Sequence, residues 1–286
     1  MENITIYYDP SLKDPSMIIG FSGWMDGGEV STGAIQYLRF ILQAKKFAQI
    51  EPQKFYLFNF PGAMTEAAQF RPYTKIQEGL IVEFQYPQNE FFYDEKNNLI
   101  LFSGKEPNIN WDEYTNCFFA LGGRLGVKNI YFVGSVAGPV PHTRAVRLFC
   151  STSNQPQKIR LQELGFRFSN YEGPASITTL LAWRAEEKGI TMTNLVAEIP
   201  IYIQTRNPKA IKAVIEKLNQ LLNMDINLID LSVKSSHFEK KIDELIRLQP
   251  LLATQIKKLE ENYDQEFFEE RGGFEEWLKK HGIDKL

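Results

Sequence analysis

Residues 130–144 read IYFVGSVAGPVPHTR, a hydrophobic run that continues into a segment containing glycine and proline. The run from Ile130 to Val133 predicts a buried strand, because it is short and rich in β-branched and aromatic residues. The segment after it ends in Pro141-His142-Thr143-Arg144, whose side chains can bind an anion or donate a proton. Open α/β sheets bind ligands at the carboxyl ends of their strands. We therefore expect this loop to perform chemistry, to bind a ligand or partner, or to anchor the fold.

Strand-like and helix-like segments alternate on both sides of this loop. Alternating and buried-strand patterns predict strands at 4–8, 17–21, 55–60, 80–86, 130–133, 147–152 and 193–203, and a hairpin at 91–102. Helical periodicity and end signals predict helices at 29–46, 111–125, 157–164 and 174–188, and one more that opens at Asn207-Pro208. This alternation is typical of an α/β sheet with helices on both faces.

The last fifty residues carry a different pattern, with side chains in 4,3 heptad spacing. Pro250 removes a helical hydrogen bond there, so the segment predicts a helical hairpin or a kinked helix. We accordingly divide the chain into an α/β domain at 1–230 and a C-terminal helical extension at 231–286. The pattern is compatible with packing on the α/β domain or on another subunit. The heptad positions are Phe238, Ile242, Leu245, Gln249, Leu252, Ile256, Leu259 and Tyr263.

The composition is that of a globular protein and argues against several function classes. Of 286 residues, 43% are hydrophobic and 23% are charged, as in ordinary soluble domains. The net charge of −3 offers no basic surface for nucleic acid, and no apolar run reaches the ~18 residues of a membrane span. Two cysteines, Cys117 and Cys150, are too few for a disulfide framework and agree with a reducing compartment. We expect a cytoplasmic protein that binds neither nucleic acid nor membrane.

A second candidate site is the segment 20–29, which reads GFSGWMDGGE and lies between a predicted strand and a predicted helix. Helix starts of this kind can bind anions through free N–H groups. Gly23, Trp24, Asp26 and Gly28 are therefore candidates for a ligand crevice or a partner surface. The spacing of Asp26 and Glu29 also fits a capping box, with Asp26 as the N-cap and Glu29 as the third helical residue.

Arg144 and His142 are the candidates for chemistry in the first loop. Arg144 can hold a carboxylate or phosphate, and His142 can transfer a proton near neutral pH. The structural alternative is that Arg144 pairs with a carboxylate of the protein and His142 caps a strand end. A third candidate, Gly173-Pro174, predicts a helix start with proline at its first position. The remaining histidines, His237 and His281, have no paired ligands, so we expect no metal site and no cofactor.

Six short motifs follow one another along the chain: Gly23-Trp24-Met25-Asp26-Gly27-Gly28, Pro141-His142-Thr143-Arg144, Gly173-Pro174, Ile199-Pro200-Ile201-Tyr202, Asn207-Pro208-Lys209-Ala210 and Leu259-Glu260-Glu261-Asn262-Tyr263-Asp264. In this order they resemble the proteasome assembly chaperone 2 family, in its archaeal and bacterial branch, over residues 15–265. The resemblance implies a three-layer α/β/α fold similar to phosphorylase/hydrolase-like domains such as purine nucleoside phosphorylases. It also implies homo-oligomers, often trimers, and a chaperone role in proteasome assembly.

Many bacterial members of that family carry an ATP-grasp or carboxylate–amine ligase label. The sequence contains no glycine-rich strand pair with a phosphate-binding lysine and no acidic pair assignable to magnesium. Ile201 replaces the histidine of the usual Val-Pro-His-Tyr element, which removes a second candidate histidine, and Gly27 replaces the usual alanine. The segment Ile283-Asp284-Lys285-Leu286 lacks the hydrophobic-Tyr-x pattern with which some archaeal relatives dock onto proteasomes.

These observations favour a non-enzymatic, oligomeric binding or assembly protein whose partner is another protein or another copy of itself. The reason is that no acid partner, nucleophile or metal accompanies His142 in the sequence. The alternative is a small-molecule enzyme, either hydrolase/phosphorylase-like or an ATP-dependent carboxylate–amine ligase. It would bind an anion with Arg144 and the Gly23–Gly28 loop, and transfer a proton through His142. That alternative predicts a concave pocket where the two loops converge.

Overall fold

The structure is a computed structural model that describes residues 2–270. The predicted extension to residue 286, with His281 and the segment at 283–286, therefore lies partly outside the described residues. The strands within the described part are β1 Ile4–Ile6, β2 Ser16–Ser22, β3 Lys45–Ile50, β4 Tyr73–Gln77, β5 Leu80–Gln85, β6 Glu90–Asp94, β7 Leu99–Lys105, β8 Asn129–Gly138, β9 Arg147–Thr152, β10 Arg167–Phe168 and β11 Thr191–Pro200. The α-helices are α1 Val30–Leu42, α2 Met64–Ala68, α3 Trp111–Leu125, α4 Gln155–Glu163, α5 Ile177–Ala185, α6 Pro208–Leu222, α7 Ile229–Arg247 and α8 Pro250–Glu270.

Nine of these strands form one mixed sheet in the order β1-β3-β6-β7-β2-β8-β11-β9-β10. Its centre, β7-β2-β8-β11, is parallel. Antiparallel pairs flank the centre on both sides, namely β1-β3, β3-β6, β6-β7 and β11-β9. The strands β4 and β5 form a separate antiparallel hairpin. Parallel neighbours need long crossover connections, which is why helices alternate with the central strands.

Helices lie on both faces of the sheet and enclose two hydrophobic cores. One core includes α1 and α6, through side chains such as Ile35 and Val214. The other includes α3 and α5 and is rich in aromatic residues, with the rings of Phe102 and Phe118 only 4.7 Å apart. The α/β class predicted from the sequence is confirmed.

Two predicted elements near the amino terminus differ from the structure. The helix predicted at 29–46 ends at Leu42, because Gln43 takes a left-handed conformation with φ 52°, and β3 begins three residues after the helix ends. The strand predicted at 55–60 is wrong. Phe55 follows a 3-10 turn, its N–H bonds to the carbonyl of Pro52, and its ring packs 5.0 Å from that of Tyr114. Phe55 is therefore buried against α3 without pairing in a strand, whereas Leu57 and Phe60 are exposed.

The C-terminal tail consists of two helices, α7 and α8, and the break between them lies at Pro250, where the sequence predicts a hairpin turn or a kink. The tail packs on the α/β part of the same chain, since Ile256 and Tyr263 are buried and the Tyr263 hydroxyl donates to the Ala145 carbonyl at 3.0 Å. The heptad positions do not form one continuous buried face along α7 and α8, because Leu245 is exposed. The domain boundary at residue 230 stays a prediction. No helix within residues 2–270 is both long and apolar enough to cross a membrane.

The strand order reverses between β2 and β8, the position where doubly wound sheets hold their ligand crevice. The two strands pair from 16–19 against 129–132 and then separate. The hydroxyl of Ser31, in the first turn of α1, occupies the gap. It accepts a hydrogen bond from the Phe21 N–H at 2.9 Å and donates one to the Val133 carbonyl at 2.5 Å. One side chain thus replaces a rung of the strand ladder.

The loop after β2 closes the rest of this gap. Ser135 donates its N–H to the Met25 carbonyl at 2.9 Å and its hydroxyl to the Gly27 carbonyl at 2.5 Å. The close approach of α1 depends on Gly20, because a Cβ atom there would lie 2.8 Å from the Ser31 carbonyl oxygen. The switch point between β2 and β8 is therefore filled by groups of the protein itself.

We predict that Ser31→Ala lowers the free energy of unfolding by about 1–3 kcal/mol, because it leaves a buried N–H and a buried carbonyl without a partner. Denaturant unfolding followed by circular dichroism measures the change. The control is Ser236→Ala on the exposed side of α7, which should change stability by less than about 0.5 kcal/mol. Equal effects of the two substitutions would contradict the bridging role of Ser31.

Candidate functional site at the carboxyl edge of the sheet

The carboxyl ends of β7, β2, β8 and β11 lie at one edge of the sheet, because these four strands are parallel. The loops that leave them are 106–110, 23–29, 139–146 and 201–207. Two of the three predicted site segments are among these loops. The third, Gly173-Pro174, precedes α5 and reaches the same edge through a contact described below.

Asp26 organises the Gly23–Gly28 loop, but not through the predicted capping box. Its carboxylate accepts hydrogen bonds from the Thr32 N–H at 3.0 Å and from the Thr32 hydroxyl at 2.7 Å. Glu29 makes no reciprocal bond; it takes a left-handed conformation with φ 50° and stands as the N-cap of α1. The chain turns so sharply at Gly28, with φ 58°, that Asp26 reaches the third helical residue from outside the helix. Burial raises the pKa of Asp26, although the bonds from Thr32 act in the opposite direction.

Glu106, just after β7, links two of the predicted segments, and no local sequence pattern indicates this role. One carboxylate oxygen accepts from the Trp24 N–H at 3.2 Å, and the other accepts from the Ile177 N–H at 3.2 Å. A carboxylate at the first turn of α5 is favoured by the free N–H groups and the helix dipole. The Gly23–Gly28 loop and the segment that contains Gly173-Pro174 are therefore held side by side.

The helix after Gly173-Pro174 begins later than predicted. Ser176, not Pro174, is the N-cap of the helix. Its hydroxyl accepts a hydrogen bond from the Thr179 N–H, and α5 begins at Ile177. Pro174 belongs to the preceding turn, where its carbonyl accepts a hydrogen bond from the Tyr171 hydroxyl at 3.1 Å. The hydroxyl of a serine satisfies an N–H of the first helical turn, which a proline cannot do.

His142 is buried, with 4% of its surface exposed, and both of its ring nitrogens are occupied. Nδ1 lies 2.8 Å from the Tyr202 hydroxyl and Nε2 lies 3.1 Å from an Asp243 carboxylate oxygen. The backbone N–H of His142 donates to the same Tyr202 hydroxyl at 2.9 Å. Burial raises the pKa of Tyr202 to about 12, so its hydroxyl stays protonated and can donate to Nδ1. With the Tyr202 hydroxyl donating to Nδ1, an N–H group at Nε2 can donate to Asp243.

Our expectation that His142 has no acid partner was wrong, because Asp243 lies 101 positions away and arrives with α7. The histidine of this pair is enclosed by the protein, since only 4% of the His142 surface is exposed. Both nitrogens of His142 are committed to Tyr202 and Asp243, and Lys209 donates to the His142 carbonyl at 2.6 Å.

Arg144 and Thr143 bind α8. The Arg144 guanidinium holds Asp264 with two parallel bonds of 2.8 and 2.7 Å, and lies 3.5 Å from a Glu260 carboxylate oxygen. The Thr143 hydroxyl also donates to Glu260. The bond with Arg144 lowers the pKa of Asp264 and, in turn, the bond with Asp264 raises the pKa of Arg144. The structural alternative for Arg144, a pairing with a carboxylate of the protein, is the arrangement found.

Arg147 extends the same contact along β9. Its guanidinium lies 4.0 Å over the ring of Tyr263 and pairs with Glu266 at 2.6 Å. We call the contacts of residues 142–147 with α7 and α8 the latch, because they fasten the C-terminal helices across the carboxyl edge. Each partner in α7 or α8 lies more than one hundred positions from the residue it contacts. Local sequence patterns therefore could not predict these contacts.

The cavity next to His142 is small and does not reach the Gly23–Gly28 loop. Its volume is only about 10 Å³, and residues 23–28 are not among those that line it. The segment that follows β11 stands between the loops: Asn207 donates its N–H to the Gly28 carbonyl at 2.8 Å, while Tyr202 binds His142. The two loops contact opposite ends of this segment rather than each other.

The two cysteines, in α3 and β9, do not supply an ionised thiol. Burial raises the pKa of Cys117 to about 12 and that of Cys150 to about 11, so neither thiol ionises near neutral pH. Within the part of the chain that the structure describes, no three His, Cys, Asp or Glu side chains are grouped to hold a metal ion.

We predict that Arg144→Gln loosens α8, because it removes the bidentate bond to Asp264. Amide hydrogen exchange of residues 250–266 should accelerate by about 2- to 5-fold, the equivalent of the 0.5–1 kcal/mol typical of a well-formed exposed pair. Lys212→Gln is the matched control, since it removes an ion pair of 2.7 Å with Glu216 on α6. If both variants exchange like the parent protein in α8, the latch does not depend on Arg144.

The PAC2 family model matches residues 20–246 of this chain. No curated protein sequence matches it. Among solved structures, a PAC2 family protein from Streptomyces avermitilis is 26% identical, with 81% of this chain and 96% of that chain covered and a TM-score of 0.70. A proteasome-assembly chaperone homologue from Mycobacterium tuberculosis is 24% identical, with 84% and 99% covered and a TM-score of 0.74.

An archaeal proteasome activator from Pyrococcus furiosus is 20% identical, with 85% of this chain and 97% of that chain covered and a TM-score of 0.63. These last two likenesses, at 24% and 20% identity, show the fold alone. The family model and these structures give no support to an ATP-grasp or carboxylate–amine ligase assignment. Because the family model spans most of the chain, from the Gly23–Gly28 loop to the end of α7, the protein belongs to the PAC2 family.

Proposed function

We propose that this protein is a non-enzymatic assembly protein that acts through contacts with other protein chains. The observation that carries the proposal is the closed switch point between β2 and β8. The place where a doubly wound enzyme holds its ligand is filled by Ser31 and by the carbonyls of Met25 and Gly27. PAC2 membership supports this role, as does the likeness to the mycobacterial proteasome-assembly chaperone homologue.

The enzymatic alternative has less support, because its two main residues are used inside the protein. His142 holds α7 through Asp243, and Arg144 holds α8 through Asp264. The parallel centre and the helices on both faces are compatible with a phosphorylase/hydrolase-like scaffold. We propose that the protein uses such a scaffold with its ligand crevice closed.

We further propose that the protein is a homo-oligomer, with the trimer as the form that the family resemblance implies. Its location in the cytoplasm is part of the same proposal. Cys117 and Cys150 are both free and buried, which suits a reducing compartment.

Trp24 is the residue to which we assign partner binding at the carboxyl edge. Its side chain is 54% exposed, although Glu106 fixes its backbone N–H and Asp26 fixes the loop two residues later. Tryptophans that are exposed on a rigid backbone lose little entropy on binding and are enriched among binding hot spots. The segment that contains Gly173-Pro174 lies beside it, through Glu106 and Ile177, and extends this surface.

Affinity capture from native cell extract tests the assignment. The tagged full chain should retain a partner protein in stoichiometric amount, and Trp24→Ser should reduce its recovery at least about tenfold, because hot-spot residues contribute ~2 kcal/mol or more. Trp183→Ser is the matched control: Trp183 is 78% exposed on α5, so its loss should leave the recovery unchanged.

Two results would contradict the proposed function. One is equal recovery of the same proteins by the Trp24→Ser variant and the parent chain. The other is catalytic turnover by the purified protein, either of nucleosides with phosphate or of ATP with a carboxylate and an amine.

A further inference from the structure

Residues 57–88 form an arm that takes no part in the site described above. The arm lies between β3 and β6, which are antiparallel neighbours that a short turn could join. It consists of the short helix α2 and the hairpin of β4 and β5, and among residues 2–270 the hairpin pairs with no other strand. A two-stranded hairpin on its own is at best marginally stable in water, so it needs a surface to pack on.

The base of the arm is fixed to the sheet. The buried side chain of Asn89, just before β6, accepts hydrogen bonds from the Tyr56 hydroxyl at 2.7 Å, the Tyr114 hydroxyl at 3.0 Å and the Lys105 N–H at 3.2 Å. Lys105 also reaches out to the Gln69 carbonyl inside the arm, at 2.6 Å. The arm is therefore presented in a defined direction.

The pairing register gives the hairpin one apolar face. Residues directly opposite each other on antiparallel strands share a face, so the Thr74–Phe84 pair and the Ile76–Ile81 pair lie together. A register shift between Lys75 and Ile76 brings Ile81 onto this face. We call it the apolar face of the arm.

The other face of the hairpin is mainly polar. The pairs there are Tyr73 with Gln85, Lys75 with Glu83 and Gln77 with Leu80. Amphipathic antiparallel pairs normally bury the apolar face and leave the polar one in water.

In this chain the apolar face of the arm is uncovered. Ile76 is 63% exposed, Ile81 is 71% exposed and Phe84 is 55% exposed. With more than half of each of these three side chains exposed, the apolar face presents roughly 300–400 Å² of apolar surface, the size of the largest patch on a typical monomer. Patches of this size often mark contacts with other proteins, and this one supplies about half of the ~800 Å² that each partner contributes to a stable interface. The exposed large apolar side chains of the hairpin and its flanks are Tyr73, Ile76, Leu80, Ile81, Val82, Phe84 and Tyr86.

We propose that the apolar face of the arm packs against a second copy of this chain. An exposed apolar face beside unpaired strand edges promotes aggregation unless another protein surface packs against it. Another copy of the chain is the one partner that is always present in equal amount. Charge allows the contact, because the arm carries two basic residues, Arg71 and Lys75, against three acidic ones, Glu66, Glu78 and Glu83. Two near-neutral arms meet without strong repulsion.

This inference rests on the oligomeric part of the proposed function and adds the surface that forms the oligomer. The test is sedimentation equilibrium of the full chain at micromolar concentration. The parent protein should sediment at a multiple of 33.0 kDa, whereas the double variant Ile76→Lys, Ile81→Glu should sediment at 33.0 kDa. The two new charges lie opposite each other, so they keep the hairpin paired and leave the net charge unchanged.

The matched control is Lys75→Glu with Glu83→Lys, an opposite pair on the other face, and it should keep the oligomer. Circular dichroism and the melting temperature establish that all variants fold. A folded Ile76→Lys, Ile81→Glu protein that stays oligomeric overturns the arm as the interface and leaves the proposed oligomer intact. A monomeric parent protein overturns both the arm contact and the proposed oligomer. The affinity capture that compares the parent chain with the Trp24→Ser variant is a separate measurement, and it tests the proposed binding of a partner protein.

Discussion

The hydroxyl of Ser31 stands where the pairing of β2 and β8 ends, and the rest of the carboxyl edge depends on that position. It replaces the missing strand-to-strand bond between Phe21 and Val133, and so holds α1 against the sheet. With α1 in this place, the loop after β2 folds back onto Ser135 and seals the gap. A doubly wound sheet leaves this position open when it binds a ligand. Here the same architecture is closed by its own chain.

The latch adds a second layer of protein to the same edge. His142, Arg144 and Arg147 are of the residue types found in anion and proton-transfer sites, yet each is bound to a residue of α7 or α8. Their pairing explains why these side chains serve to hold α7 and α8 at this edge. Trp24 is exposed at this edge, and the apolar face of the hairpin is exposed on the arm. Both are features of a protein that binds other proteins.

Local pattern predicted much of the fold, because the central strands and crossover helices are long and strongly periodic. The helix after Asn207-Pro208 begins as predicted, with the Asn207 side chain accepting from the Ala210 N–H. The strand predicted at 55–60 failed, since Phe55 is buried by a turn and not by a ladder. The arm was recognised only as one strand at 80–86, because a hairpin with exposed apolar residues reads like a buried strand.

Pattern analysis offered pairing with a carboxylate of the protein as one alternative for Arg144, but it could not name the partners of the candidate site residues. Pattern analysis placed His142 and Arg144 in a strand-exit loop, yet their partners Asp243 and Asp264 lie more than one hundred positions further along the chain. Such contacts are set by tertiary packing and leave no local signal. Glu106 was missed for the same reason, since it binds backbone N–H groups from two distant segments.

Native-state hydrogen exchange at the amides of Phe21 and Ser135 tests the closed switch point most directly. These two N–H groups bond to Ser31 and Met25 instead of to a neighbouring strand. If the edge is sealed, both should exchange only through global unfolding, at the same free energy as the amides of the paired region of β2. Exchange at the rate of a surface loop would mean that the crevice opens, and would contradict the closed, non-enzymatic edge. Protection that appears only when a nucleoside or phosphate is added would contradict it as well.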